Sequence, residues 1–356
     1  MFVYKPDYEQ AQQRINAFWN HEETDRPAVF ITHQKQNATP FAKKQHKAHE
    51  DYWLDMEYRV AEAERRIRNT AYLAESMPVF YPNMGPSILS AFAGCPHTFG
   101  ADTAWADPCL FNWETETAII DPNHPLAKKL KDFTKLALET AKGKFIVGLT
   151  DLHPGGDHLA ALRGSETLAI DLMEYPEQVK AKLTTSYDEY YALFDYYVAM
   201  LKNAGMPITT WLPLTSDTNM YIPSNDFSCM ISTAMFEEFF LPGIIAECRH
   251  YDKSIYHLDG PDALRHLPSL LEIPELNAIQ WMPGAGNDMC VSWFNVFKEI
   301  LAAGKSVFVY PQNINDLKLL MENFPAHGLC LQIWSMSNQD EAEAVLKLIN
   351  KWNTKR

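Results

Sequence analysis

The stretch SIYHLDGPDALRHLPSLLEIPELNAIQWMPGAG, Ser254 to Gly286, is the part of the chain from which the fold is read. Its first run, Ser254 to Leu258, carries His257 and Asp259 into a turn closed by Gly260 and Pro261. Leu264, Leu267, Leu270 and Leu271 then recur at helical steps, and Asn277 to Trp281 reads as the next strand. This is one βαβ unit. In such units chemistry usually sits just past the strand's carboxyl end, because loops there vary while the sheet holds them rigidly.

Outward from this unit the same alternation continues. Toward the C-terminus, Ser306 to Tyr310 and Gly328 to Trp334 read as strands, with helices near 288–303, 314–323 and 338–352. Toward the N-terminus, strands are expected at Ala28 to His33, Pro78 to Tyr81, Phe145 to Leu149 and Ile208 to Leu212. A charged helix is expected from about Asp51 to Ala74, and further helices over Leu126 to Lys142 and roughly Pro176 to Ala204. Eight short strands separated by helices, without a second composition regime, predict an α/β fold, a single-domain (β/α)8 TIM barrel over 25–356. An N-terminal helical extension over 1–24, with Ala11, Ile15, Phe18 and Trp19 at helical spacing, lies outside the repeat. A doubly wound open sheet fits less well, since PGAGND lacks the third glycine of a phosphate loop.

Composition narrows the function classes. Of 356 residues 47% are apolar, enough for a large core, and no apolar run reaches the ~18 residues that a membrane span needs. The formal charge of −14 offers no basic footprint for nucleic acid. Cys95, Cys109, Cys229, Cys248, Cys290 and Cys330 are scattered, and no charged-then-apolar leader opens the chain, so a reduced, cytoplasmic enzyme is expected.

Polar residues collect at the predicted strand exits. Asn83 follows the second strand, and Asp151, His153 and His158 crowd the glycine-containing turn after the third. Asp226 lies in the loop SNDFSCMIS, His257 and Asp259 close the fifth strand, Gln280 and Trp281 the sixth, and Gln312 follows the seventh. Bland readings stand beside these: Asp259 before Gly-Pro can cap a helix, Asp226 can cap a turn, and Cys330 among Leu329, Leu331 and Ile333 can be a buried structural thiol.

SNDFSCMISTAMFEEFFLPGI, followed by YHLDG and IPELNAIQW, resembles the uroporphyrinogen decarboxylase superfamily, as does VGLTDLHPGGDHLAALRG after the third strand. The resemblance spans most of the chain and implies a (β/α)8 barrel with its site at the carboxyl ends of the strands. That superfamily holds porphyrinogen decarboxylases and also methyltransferases that work with a corrinoid protein or a thiol through zinc. The decarboxylases resemble one another in an arginine-rich segment after the first strand, where this chain reads THQKQNATP. Eight substrate carboxylates need guanidinium partners, because unpaired buried anions are very costly. The methyltransferases resemble one another in a His-x-Cys-Gly motif after the fifth strand and a second Cys near the eighth.

This chain has His257-Leu258-Asp259-Gly260 and Cys330, so the resemblance implies a zinc site of His257, Asp259 and Cys330. A carboxylate in place of a thiolate makes the site harder and suits an oxygen- or nitrogen-bound methyl group. The function expected is methyl transfer from a small O- or N-methylated substrate to a corrinoid carried by a partner protein. His257, Asp259, Asp151 and Asp226 are the catalytic candidates, and Asn83, His153, His158, Gln280, Trp281 and Gln312 the substrate-binding ones. The alternative is a metal-free decarboxylase of a porphyrinogen or smaller carboxylate, and after it a barrel that binds a small molecule without turning it over. A second copy of the chain, as a homodimer, is a further candidate partner.

Overall fold

A computed structural model describes residues 2–352. Eleven strands are present among them: β1 (Ala28–Gln34), β2 (Thr70–Ala74), β3 (Val79–Phe80), β4 (His97–Phe99), β5 (Ala104–Ala106), β6 (Ile146–Val147), β7 (Met220–Tyr221), β8 (Lys253–Asp259), β9 (Ala278–Met282), β10 (Ser306–Val309) and β11 (Leu329–Gln332). The central sheet runs β2-β1-β11-β10-β9-β8-β7, parallel throughout except for β2. β3 and β6 form a separate parallel pair, and β4 and β5 an antiparallel one. The strands β9, β10 and β11 are buried almost continuously rather than on alternate residues, as expected of a parallel sheet covered on both faces.

The helix expected to run to Ala74 stops at Asn69. It opens on Asp55, whose side chain accepts from the Tyr58 amide at 3.2 Å, and it buries Arg59, Val60, Ala63 and Ile67. Thr70 to Ala74 instead pairs antiparallel with β1, because that edge offers five residues of backbone partners. The expected fourth strand at Ile208 is reduced to one antiparallel bridge with Ser216, while Met220 and Tyr221 take the place beside β8.

The described ladder does not close on itself, and two seams separate the β3-β6 pair from the main sheet. Hydroxyl groups bridge both. Ser76 Oγ donates to the Ile31 carbonyl at 2.8 Å and accepts from the Ile31 amide at 2.6 Å, spanning β1 and the approach to β3. At the other seam the Tyr221 hydroxyl donates to the Thr150 carbonyl at 2.8 Å and accepts from the Leu152 amide at 2.5 Å. The Leu149 amide also reaches the Thr209 carbonyl at 2.7 Å.

The N-terminal helix Tyr8–Trp19 packs across the amino ends of the strands. Trp19 Nε1 donates to the Thr215 carbonyl at 2.9 Å, Asn277 Nδ2 to the Trp19 carbonyl at 3.2 Å, and Ser306 Oγ to the Phe18 carbonyl at 2.7 Å. That leaves the carboxyl ends, where β8 delivers His257 and Asp259, open to ligands. Among the described residues no helix is long and apolar enough to cross a membrane.

Candidate active site

Parallel pairing of β8 and β9 sets His257 opposite Gln280. Their side chains therefore share one face, and His257 Nδ1 lies 2.8 Å from Gln280 Oε1. An amide oxygen only accepts, so Nδ1 donates to it and Nε2 is the ring nitrogen left for a ligand. Gln280 is held in this orientation by donating through Nε2 to the Tyr310 hydroxyl. On its other side the His257 ring meets the edge of Trp211, centroids 5.4 Å apart at 89°.

The free Nε2 faces Asp226 Oδ1 at 3.9 Å. With Asp259 these residues form the one group of three candidate metal ligands found among the described residues, all ligand atoms within 4.8 Å of one another. Asp226 arrives from the turn Asp226–Met230, which follows directly on the β7 strand region, where the His257 amide bonds the Pro223 carbonyl at 2.9 Å. Burial in the cleft pushes the Asp226 carboxyl up toward about 6, Asp157 and Asp259 push the same way, and His257 and His153 pull it back. Solvent reaches 57% of that side chain and screens its charge from its neighbours.

A second polar group stands in the same cleft of about 740 Å³, whose lining includes Asp151, His153, Asp157, Trp211, Asp226 and His257. His153 Nε2 is 2.5 Å from Asp151 Oδ1, and its Nδ1 is 2.8 Å from Ser224 Oγ, which donates to Asp157 Oδ2 at 2.8 Å. Burial opposes the charge on His153, but Asp151, Asp157 and Asp226 outweigh it and raise the imidazole to about 9. That favours the cationic form at neutral pH, with the ring held between the Asp151 carboxylate and the Ser224 hydroxyl.

A neighbouring cleft of about 880 Å³ shares Trp211 with the first and contains Asn83, Tyr310 and Gln332. Asn83 lines it while its Oδ1 accepts from the Gly85 amide at 2.8 Å.

Five of the expected residues stand apart from the ligand group. Cys330 is fully buried within β11, paired in register with Ala28 and Phe308, and stands outside the ligand group, with Asp226 in its stead. His158 is 1% exposed, bonded through Nδ1 to Ser90 Oγ at 2.9 Å and held neutral by burial, which lowers its pKa to about 3. Trp281 is equally buried and packs on Trp293. Gln312 folds back onto the Tyr310 carbonyl at 2.9 Å and lines neither cleft. Gln280 is buried as well, with its Oε1 on His257 Nδ1.

Asp157 and Ser224 are not singled out by the sequence, and Tyr310 stands out only as a ring that closes the seventh strand. Asp157 had a signal in GGDH, two glycines before an acid, whereas Tyr310 becomes meaningful only through Gln280.

No family model matches the chain, and no curated protein matches it by sequence. Among solved structures it is similar to a methyltransferase from Methanosarcina mazei, at 10% identity and a TM-score of 0.59, with 99% of each chain covered. At that identity the likeness is one of fold: a mixed α/β architecture with a mostly parallel central sheet, of the kind seen in that methyltransferase.

Proposed function

We propose that this protein is a methyltransferase of the uroporphyrinogen decarboxylase superfamily, taking a methyl group from a small O- or N-methylated substrate for a corrinoid carried by a partner protein. The observation that carries the reading is the convergence of His257 Nε2, Asp226 and Asp259 at a strand exit, with Nδ1 of the same histidine committed to Gln280. The fold shared with a methyltransferase supports it. We also place the two ladders in one (β/α)8 barrel, a reading supported by the hydroxyl bridges of Ser76 and Tyr221 across both seams.

Zinc fits this donor set. One imidazole and two carboxylates are three protein ligands, the number that leaves a fourth position for substrate, and a metal-bound histidine characteristically donates its other N–H to a carbonyl-type oxygen. When bound, zinc would polarise the heteroatom bearing the methyl group, and a reduced corrinoid would supply the nucleophile. The chain's own residues do the rest. Trp211 walls the substrate against His257, and the cationic His153 is placed in the same cleft to give a proton to the departing oxygen or nitrogen. Asp151 and the Ser224–Asp157 pair keep that imidazole charged and oriented.

Metal analysis of wild type beside His257→Ala and Asp226→Ala tests the reading. The expected result is about one zinc per chain, lost in both variants, with methyl transfer to a corrinoid protein lost in parallel while the circular dichroism spectrum is unchanged. A His257→Ala protein that transfers methyl groups at the wild-type rate would sink it. One observation favours a second reading: a buried cationic imidazole beside a raised carboxyl also suits metal-free decarboxylation, with Asp226 or Asp151 holding an amine-like N–H and His153 protonating the carbanion. Carbon dioxide release from a carboxylate substrate by metal-stripped protein would favour it.

A further inference from the structure

The cleft beside the site contains a buried cation that the chemistry above does not use. Arg59, on the helix Met56–Asn69, is 8% exposed and lines this cleft. Its guanidinium lies 4.9 to 5.6 Å from the ring centroids of Tyr52, Trp53 and Phe133, and Nη1 donates to the Trp53 carbonyl at 2.8 Å. Among the described residues no carboxylate stands within ion-pair distance of it. Glu62, on the same wall, already accepts from the Tyr52 and Tyr58 hydroxyls at 3.0 and 3.1 Å. Arg66, two helical turns further on, adds a second guanidinium to the lining, while Asp102 adds an acid at its exposed edge.

A guanidinium has five N–H donors in one plane, and aromatic faces stacked on it satisfy none of them. Burying one without a carboxylate is costly unless a ligand supplies the missing oxyanion, for which the planar fork is shaped. Trp211 links this cleft to the cluster around His257, and Tyr310, at its edge, holds Gln280.

We infer that Arg59, assisted by Arg66, is the anchor for a carboxylate on the methyl donor, whose methylated end then extends past Trp211 toward His257. The substrate class is thus a methylated small carboxylate. This rests on the methyltransferase reading for its methylated end, but the anion site stands on its own geometry.

The test is calorimetric titration of the full-length protein with 3-methoxybenzoate and N,N-dimethylglycine, each beside a counterpart without the carboxylate, methoxybenzene and 2-dimethylaminoethanol. At least one carboxylate is expected to bind tenfold or more tightly than its counterpart, roughly the value of one charge-assisted pair. Arg59→Lys, which keeps charge but loses the fork, should erase most of that preference. Arg66→Gln, at an exposed position that folding tolerates, should weaken it by about threefold. His257→Ala should leave it intact. Equal affinity within both pairs, no binding by any probe, or a preference untouched in Arg66→Gln and in folded Arg59→Lys would overturn the anchor. Methyl transfer without carboxylate preference would remove the anchor and leave the proposed function standing; carboxylate binding without methyl transfer would do the reverse.

Discussion

The smallest unit of this site is one imidazole whose tautomer is chosen by an amide. Because Gln280 Oε1 takes the Nδ1 proton, replacing it by an apolar residue frees His257 to rotate or to switch tautomers. Gln280→Leu is expected to lower zinc affinity by roughly 10- to 100-fold in competition with a chromophoric chelator, with the fold retained. In the same assay affinity should fall as pH drops through about 6, where Asp226 takes up a proton, since ligands bind metal deprotonated. His153 behaves oppositely. Its folded value of about 9 exceeds the ordinary 6.5, so the stability it contributes is complete below pH 6.5 and is lost as pH rises through 9. Asp151→Asn should therefore destabilise by on the order of 2 kcal/mol at pH 7 in urea titrations and by far less at pH 10. A histidine NMR titration of that variant should show the midpoint of His153 moved down.

At the scale of elements, the helix Gly155–Arg163 and the loop carrying Asp226 approach most closely at Gly156. A Cβ on Gly156 would overlap the Asn225 carboxamide, coming within 2.6 Å of its Cγ, and Asn225 directly precedes Asp226. Asp157 on the same helix holds this loop from the other side by accepting from the Phe227 amide at 3.1 Å. Gly156→Ala is thus expected to cost about 1–3 kcal/mol of stability and also to displace Asp226. The loss of zinc affinity should exceed that of a variant matched for stability but remote from the site. The glycine pair was visible in the sequence as a place of close approach, but the partner pressing on it was not, because Asn225 lies in a different βα unit.

For the molecule as a whole, the sheet depends on side chains where its backbone ladder breaks. Ser76 makes two bonds to Ile31 and Tyr221 makes two to the loop after β6, all in the interior. Ser76→Ala should cost about 1–3 kcal/mol, the penalty of leaving buried backbone groups unpaired, read as a lower urea midpoint at constant m-value. Beside the same seam Glu75 grips Arg26 through both oxygens, at 2.7 and 2.9 Å, and also accepts from the Val29 amide at 2.9 Å. Glu75→Ala leaves the buried Arg26 uncompensated and should cost about 3–5 kcal/mol, a larger loss than Ser76→Ala.

Local pattern by itself determined the alternation of strands and helices, the polar exits and the His257–Asp259 turn, because periodicity and turn chemistry act over a few residues. It misplaced Thr70 to Ala74, whose conformation is settled by a vacant sheet edge rather than by its own residues. It could not tell that Cys330 and His158 are buried, since the side on which a residue of a strand or helix emerges is decided by packing. Only the tertiary structure brought Asp226 to His257, seated Gln280 behind that ring and left Arg59 buried without a carboxylate partner. These pairings join residues from separate βα units, and no spacing along the chain encodes them: they arise when parallel pairing lines up the carboxyl ends of strands that are distant in sequence.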